Sequence, residues 1–318
     1  MPRVLLFFVD GVGLGMSEPD INPLVVARLP TFSELLDGDT ITLRSAPVTA
    51  ERASLVALDA TLGFEGIPQS GTGQASLLTG ANAVEMHGRH FGPWVPSRLR
   101  TFVREQSVLA RALDAGHRVA FANAYPEELN QLPGGAGPAV ARDRTRSVRR
   151  GPAFLRAGPP LAALGANLLT RHTPDLERGD AVASELTNEG WRERLGRRNV
   201  PIIDAAHAGR NLARIAARND LTLFAHYSTD YAGHQRDMQA AVGALERLDA
   251  FLAGVLETGN EDLLIVLASD HGNIEDVRTG HTRNPALGMV VGRGHAALAA
   301  RLRSLTDVTP LILHVLSD

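Results

Sequence analysis

Four short apolar runs dominate the chain: "VLLFFVD" (4–10), "HRVAFANAY" (117–125), "LTLFAHYSTD" (221–230) and "DLLIVLASDHG" (262–272). Each is too short for a buried helix and reads as a strand covered on both faces; "NPALGMVVG" (284–292) adds a fifth. Between them, "QSVLARALDAG" (106–116), "HAGRNLARIAARN" (207–219) and "RDMQAAVGALERLDAFLAGVLE" (236–257) carry apolar residues at helical spacing. Strands alternating with helices predict an α/β fold, a three-layer α/β/α sandwich around a mostly parallel sheet. The rhythm breaks from about Pro126 to Val200, where "QLPGGAGPA" and "RAGPPLAALGAN" flank the arginine run "RDRTRSVRR" (142–150). That stretch is expected to be an inserted cap (126–200) between the two halves of one core (1–125 and 201–318).

Composition removes several chemistries. The 318 residues include no cysteine, which excludes disulfides, thiolate nucleophiles and Cys-ligated zinc. All 32 basic residues are arginine, so no lysine Schiff base or P-loop lysine can exist here. A net charge of −3 gives no overall attraction to nucleic acid or an acidic membrane. The apolar stretch Val4–Val9 is too short for a signal peptide or a membrane span, and a cytoplasmic protein is expected.

Open α/β sheets build their sites beyond the carboxyl ends of the strands. Asp10, Asp230 and the pair Asp270-His271 each end a predicted strand, on one rim of the sheet. One such Asp is ordinarily a turn or cap carboxylate; three with histidines are a constellation. "DYAGH" puts His234 four residues after Asp230, and "TGHTRNP" adds His281. Ser70 opens "SGTGQASLLTG", where small polar residues lead into an apolar run, as at a helix N-terminus that can hold an anion. Three Asp, three His and one hydroxyl exceed one tetrahedral ion and suit two. Mixed imidazole and carboxylate donors point to Mn²⁺ or Zn²⁺. A site with two ions about 4 Å apart can activate a hydroxyl and clamp an in-line phosphoryl displacement. Ser70 is then the candidate nucleophile, with Gly71 and Gly73 expected to admit phosphate to the backbone.

In order along the chain, "FFVDGVG", "SGTGQASLLTG", "DYAGHQRD" and "SDHGNIED…GHTRNP" resemble the alkaline phosphatase superfamily, within it the branch of cofactor-independent phosphoglycerate mutase and phosphopentomutase. The resemblance covers about 1–125 and 201–318. It implies that Asp230, His234 and His281 hold one ion, that Asp10, Asp270 and His271 hold the other, and that Ser70 faces the second. Gln74 stands where the mutases usually carry His, and is expected to contact phosphate as a neutral amide. The expected partner is a small phosphorylated substrate, with no nucleic acid and no membrane. Arg142, Arg144 and Arg146 are candidates to clamp that substrate, against the alternative of a solvated basic loop. Competing readings are a phosphodiesterase or sulfatase of the same superfamily, and a non-catalytic binding protein on this scaffold. The missing Cys weighs against the sulfatase, and the filled ligand positions weigh against the binding protein.

Overall fold

The computed structural model describes residues 3–127, 153–257 and 262–318. Its centre is a seven-stranded sheet: β1 (Arg3–Val9), β2 (Val48–Thr49), β3 (Ala53–Leu58), β4 (Val119–Phe121), β5 (Leu221–His226), β6 (Leu263–Ala268) and β7 (Ala286–Val291), in the spatial order β2-β3-β7-β6-β1-β5-β4. From β6 to β4 neighbouring strands are parallel, while β7 and the β2-β3 hairpin pair antiparallel.

The run VLLFFV is apolar throughout because both faces of β1 are buried. Val4, Leu6 and Phe8 pack into one core, while Leu5, Phe7 and Val9 pack into the other. The first core is covered by helices that include Ser70–Thr79, Val108–Asp114 and Val308–Ser317, the second by Ala205–Ala216 and Met238–Leu256. The result is the expected three-layer sandwich.

Within 153–200, the helix Gly158–Gly165 packs against Ser70–Thr79, Arg100–Gln106 and Val108–Asp114. Its Leu161, Ala162 and Ala163 join the first core. Farther on, Leu176, Ala181, Ala183, Trp191 and Val200 form a small cluster of their own with Ala124.

Two local differences from the expectation have physical reasons. The strand expected over 117–125 stops at Phe121, and the Asn123 side chain continues the ladder by donating to Ala225 O (2.7 Å) and accepting from Ala225 N (2.8 Å). The strand expected over 221–230 stops at His226, and Asp230 sits instead in the helix Ser228–Gln235. There the four-residue spacing places Asp230 and His234 on one helix face.

At the end of β5 the His226 ring is buried, with Nδ1 2.7 Å from Ser184 O. Burial lowers its pKa to about 4, partly opposed by the Ser184 bond and reinforced by the Arg247 charge. The unfolded chain takes up this proton near pH 6.5, the folded chain only near 4. Below 6.5 the unfolded state therefore binds more protons, and stability falls with pH by up to roughly 3 kcal/mol from this group. Denaturant melts of metal-free protein between pH 7 and 4 should show this slope, flattened in His226→Gln. An equal slope in the variant contradicts the assignment.

Candidate metal centre

Strand order explains why the ligands meet. β1 lies between β5 and β6, with Val9 opposite His226 and Phe8 opposite Ala268. The residues just past these three parallel strands therefore emerge side by side. Asp10 follows β1, the helix carrying Asp230 and His234 follows β5, and Ser269-Asp270-His271 follows β6. His281 lies on the connection from β6 to β7, at the same rim. Thr229 Oγ1 donates to Asp10 O (2.6 Å), and Val12 N donates to Ser269 Oγ (2.9 Å), tying the strand ends together.

Ser70 is the first residue of a ten-residue helix, entered from extended Gln69 and ended by Gly80 in the left-handed conformation (φ 76°). Its Oγ lies 2.9 Å from His271 Nε2. His271 Nε2 is in turn 3.4 Å from Asp10 Oδ1 and 3.7 Å from Asp270 Oδ2. Asp10, Asp270 and His271 form one group whose ligand atoms all lie within 4.8 Å of one another; Asp230, His271 and His281 form a second. His234 completes the rim, with Nε2 3.3 Å from Asp230 Oδ2 and 3.1 Å from His281 Nε2. His271 thus stands between the two groups, its ring stacked on that of His281 at 3.9 Å.

These donors fit divalent cations. Asp10 Oδ1 and Asp270 Oδ2 are buried with no hydrogen-bond partner, an arrangement that is costly unless a cation compensates it. His281 Nδ1 lies 3.1 Å from Pro68 O and His271 Nδ1 3.2 Å from Gly272 O. A proton held at each Nδ1 by these carbonyls leaves Nε2 as the ligand atom.

Electrostatics agree. Burial raises Asp10 and Asp270, and each is raised further by a neighbouring carboxylate, Asp270 for the first and Asp230 for the second. Burial also works against the His271 imidazolium, but the charges of Asp270, Asp10 and Asp230, with Asp10 Oδ1 3.4 Å from its Nε2, push it up to about 10. Asp230 is raised by burial, yet His281, the His271 charge and Asn273 outweigh this and bring it down to about 2. Without an ion, the carboxylates keep a proton on His271 to offset their own charge.

Among the other residues singled out in the sequence, Gln74 is buried and engaged at both ends. Its Nε2 donates to Asp10 Oδ2 (3.2 Å), and its Oε1 accepts from Gly158 N (2.8 Å). Gly71 and Gly73 make room for protein. A Cβ on Gly71 would stand 2.1 Å from Trp94 O, and one on Gly73 2.8 Å from Asp270 O. Thr72 Oγ1 accepts from Phe91 N (3.2 Å), anchoring the same loop. Arg142, Arg144 and Arg146 lie outside the described residues.

Two residues that sequence reasoning passed over hold the ligand loops. Asn273 Nδ2 donates to Asp230 Oδ1 (2.6 Å) and to Asp230 O (3.1 Å). Glu275, 1% exposed, accepts from groups on three separate loops. Both sit in "SDHGNIED", but nothing in that spacing announces a hub.

The Metalloenzyme superfamily profile matches residues 202–317, which carry Asp230, His234, Asp270, His271 and His281. The match is confined to that C-terminal segment. The resemblance read from the motifs is borne out by the relatives. The chain is 35% identical over 118 residues to a 2,3-bisphosphoglycerate-independent phosphoglycerate mutase from Thiobacillus denitrificans, covering 33% of this chain and 22% of that protein. It is 43% identical over 63 residues to a phosphopentomutase from Helicobacter acinonychis, covering 20% of this chain and 15% of that one. The matches thus span a quarter or less of these relatives' length. In fold, this chain is similar to alkaline phosphatase from the Antarctic bacterium TAB5, with a TM-score of 0.50 at 10% identity over 100% of this chain and 99% of that one. Among the described residues no helix is long and apolar enough to cross a membrane.

Proposed function

We propose that this chain is a phosphoryl-transfer enzyme that uses two divalent ions, Mn²⁺ or Zn²⁺, and acts on a small phosphorylated metabolite through a phosphoserine at Ser70. The observation that carries the reading is the Ser70 hydroxyl, at a helix start, 2.9 Å from an imidazole that shares a buried cluster with two carboxylates. Asp10, Asp270, His271 and Ser70 would hold one ion, and Asp230, His234 and His281 the other. When bound, such ions act as Lewis acids that favour an ionised hydroxyl and offset phosphoryl charge.

The chain's own residues do the rest. Ser70 is 6% exposed, so its oxygen meets a substrate that enters the site in preference to bulk water. Its position at the first turn puts the positive end of the helix beside the incoming phosphoryl oxygens. In the transfer, Ser70 Oγ gives up its proton and forms the new O–P bond as the substrate's ester O–P bond breaks, and the leaving oxygen takes up one proton, so the count is unchanged. A phosphatase then passes the phosphoryl group to water; a mutase returns it to another oxygen of the same metabolite. Gln74 steadies Asp10 with one amide N–H and offers the other to the phosphate.

Within it, 1–125 and 201–318 form the core and 126–200 is an insertion whose helix Gly158–Gly165 packs into that core, and the enzyme works in the cytoplasm. One or more of Arg142, Arg144 and Arg146 grips the substrate. The test is a panel of phosphorylated metabolites with Mn²⁺ or Zn²⁺, followed for both free phosphate and isomer formation. Turnover of at least one compound, abolished by chelator, is expected. Inertness toward the whole panel with both ions bound contradicts the reading.

A further inference from the structure

We infer that Glu275 is the positioning residue that sets the spacing between the ligand loops of both ions, and so fixes metal affinity without touching metal or substrate. The inference rests on the reading of this cluster as a metal centre. Glu275 follows the candidate ligands Asp270 and His271 by only a few residues, and its carboxylate is held by two backbone N–H groups and two side-chain donors. Oε2 accepts from Gly13 N (2.9 Å), on the loop that follows Asp10, and from Asn273 N (2.8 Å), on the loop that follows His271. Oε1 accepts from Asn284 Nδ2 (3.0 Å) and from Thr282 Oγ1, on the loop that carries His281. One carboxylate therefore joins all three of these ligand loops. A fourth ligand is reached at one remove, because Asn273 Nδ2 donates to Oδ1 and to the backbone O of Asp230.

The cage is shaped for this side chain. A Cβ on Gly13 would lie 2.4 Å from Glu275 Oε1, one on Gly272 2.3 Å from the same atom, and one on Gly15 2.9 Å from Glu275 Cγ. Three glycines from two loops thus leave the space that the glutamate fills. The backbone bond from Ile274 N to Gly11 O (3.0 Å) closes the same junction beside Asp10.

A carboxylate accepts at both oxygens, and both are used. An amide in its place turns an NH₂ group toward the donors at one end, and the tie between this loop and its partner there is weakened. Aspartate is one methylene too short to span the donors. Hydrogen bonds that orient ligands from behind commonly change metal affinity 10–100-fold.

The experiment is titration of Mn²⁺ into chelator-treated protein by calorimetry, for the parent chain and for Glu275→Gln. The inference expects affinity at least about tenfold weaker for both ions. It also expects turnover on a substrate found by the panel to recover at high Mn²⁺, with an unchanged pH profile. Parental affinities in the folded variant overturn it, as does affinity lost at one ion alone. Lost turnover that saturating Mn²⁺ does not restore also overturns it, because the residue would then act in the chemistry. Should Glu275→Gln not fold, Asn284→Ala and Thr282→Val each remove one donor to Oε1 and answer the same question. Both are expected to weaken ion binding several-fold, and parental affinity in both overturns the inference. The titration needs no substrate, so a chain that binds two ions but turns over nothing on the panel fails the proposed function while leaving this inference standing.

Discussion

Ser70→Ala is expected to lower kcat by at least about a thousandfold while the fold and both ions stay in place. Removing the nucleophile of a covalent mechanism eliminates the productive route and leaves only what binding and charge can do for direct attack by water. The structural loss is small by comparison. The side chain is one hydroxyl at a helix start, with Gln69 already extended ahead of it. Its hydrogen bond to His271 is one of several contacts that hold that ring. A stability change within about 1 kcal/mol is therefore expected. Steady-state kinetics with elemental analysis of the variant checks this. Near-parental turnover would place the nucleophile elsewhere, and Thr72 is a poor substitute because its hydroxyl already anchors Phe91.

Asp270→Asn should move activity and stability in opposite directions. Asp270 is fully buried at the end of β6, where burial and the Asp230 charge raise its pKa. Holding that carboxylate ionised at neutral pH therefore costs the metal-free fold free energy that the neutral amide avoids. The metal-free variant is expected to melt higher than the metal-free parent. The same change removes a charged donor, so the ion held with Asp10 and His271 should be lost, and turnover with it. Asp230→Ala should lower the content of the other ion instead, and chelation of the parent should remove both reversibly. Because His271 is held protonated by its carboxylate neighbours without an ion, ion binding should release a proton from it, and affinity should rise with pH. Fewer than one ion per chain in active protein, or a metal-free Asp270→Asn that melts lower, contradicts this account.

The central strands were legible because burial on both faces writes an uninterrupted apolar run, and β1, β5 and β6 each do so. The gathering of the candidate ligands at one rim was legible for a related reason. Asp10, Asp230, Asp270 and His271 follow such a run closely, and adjacent parallel strands bring these ends to one rim, whereas His281 and Ser70 arrive from longer connections. β2 and β3 were not legible, since two residues and a Ser-interrupted six-residue run make a weak signal beside Glu51 and Arg52. Gly71 and Gly73 were recognised as positions of close approach, but a sequence does not say what approaches. The loop at 91–94 and Asp270 do so. Glu275 was hidden most completely. Its partners, Gly13 and Thr282, are far apart in the chain, and only the folded loops bring them to one carboxylate.

The central claim is a phosphoryl group carried on Ser70. The direct measurement is rapid quenching of the Mn²⁺-loaded protein during turnover of a substrate identified by the panel, followed by peptide mass spectrometry. The account predicts phosphoserine at position 70, absent after chelation and absent from Ser70→Ala. Turnover with no phosphate on Ser70, or with phosphate on a different residue, would contradict it.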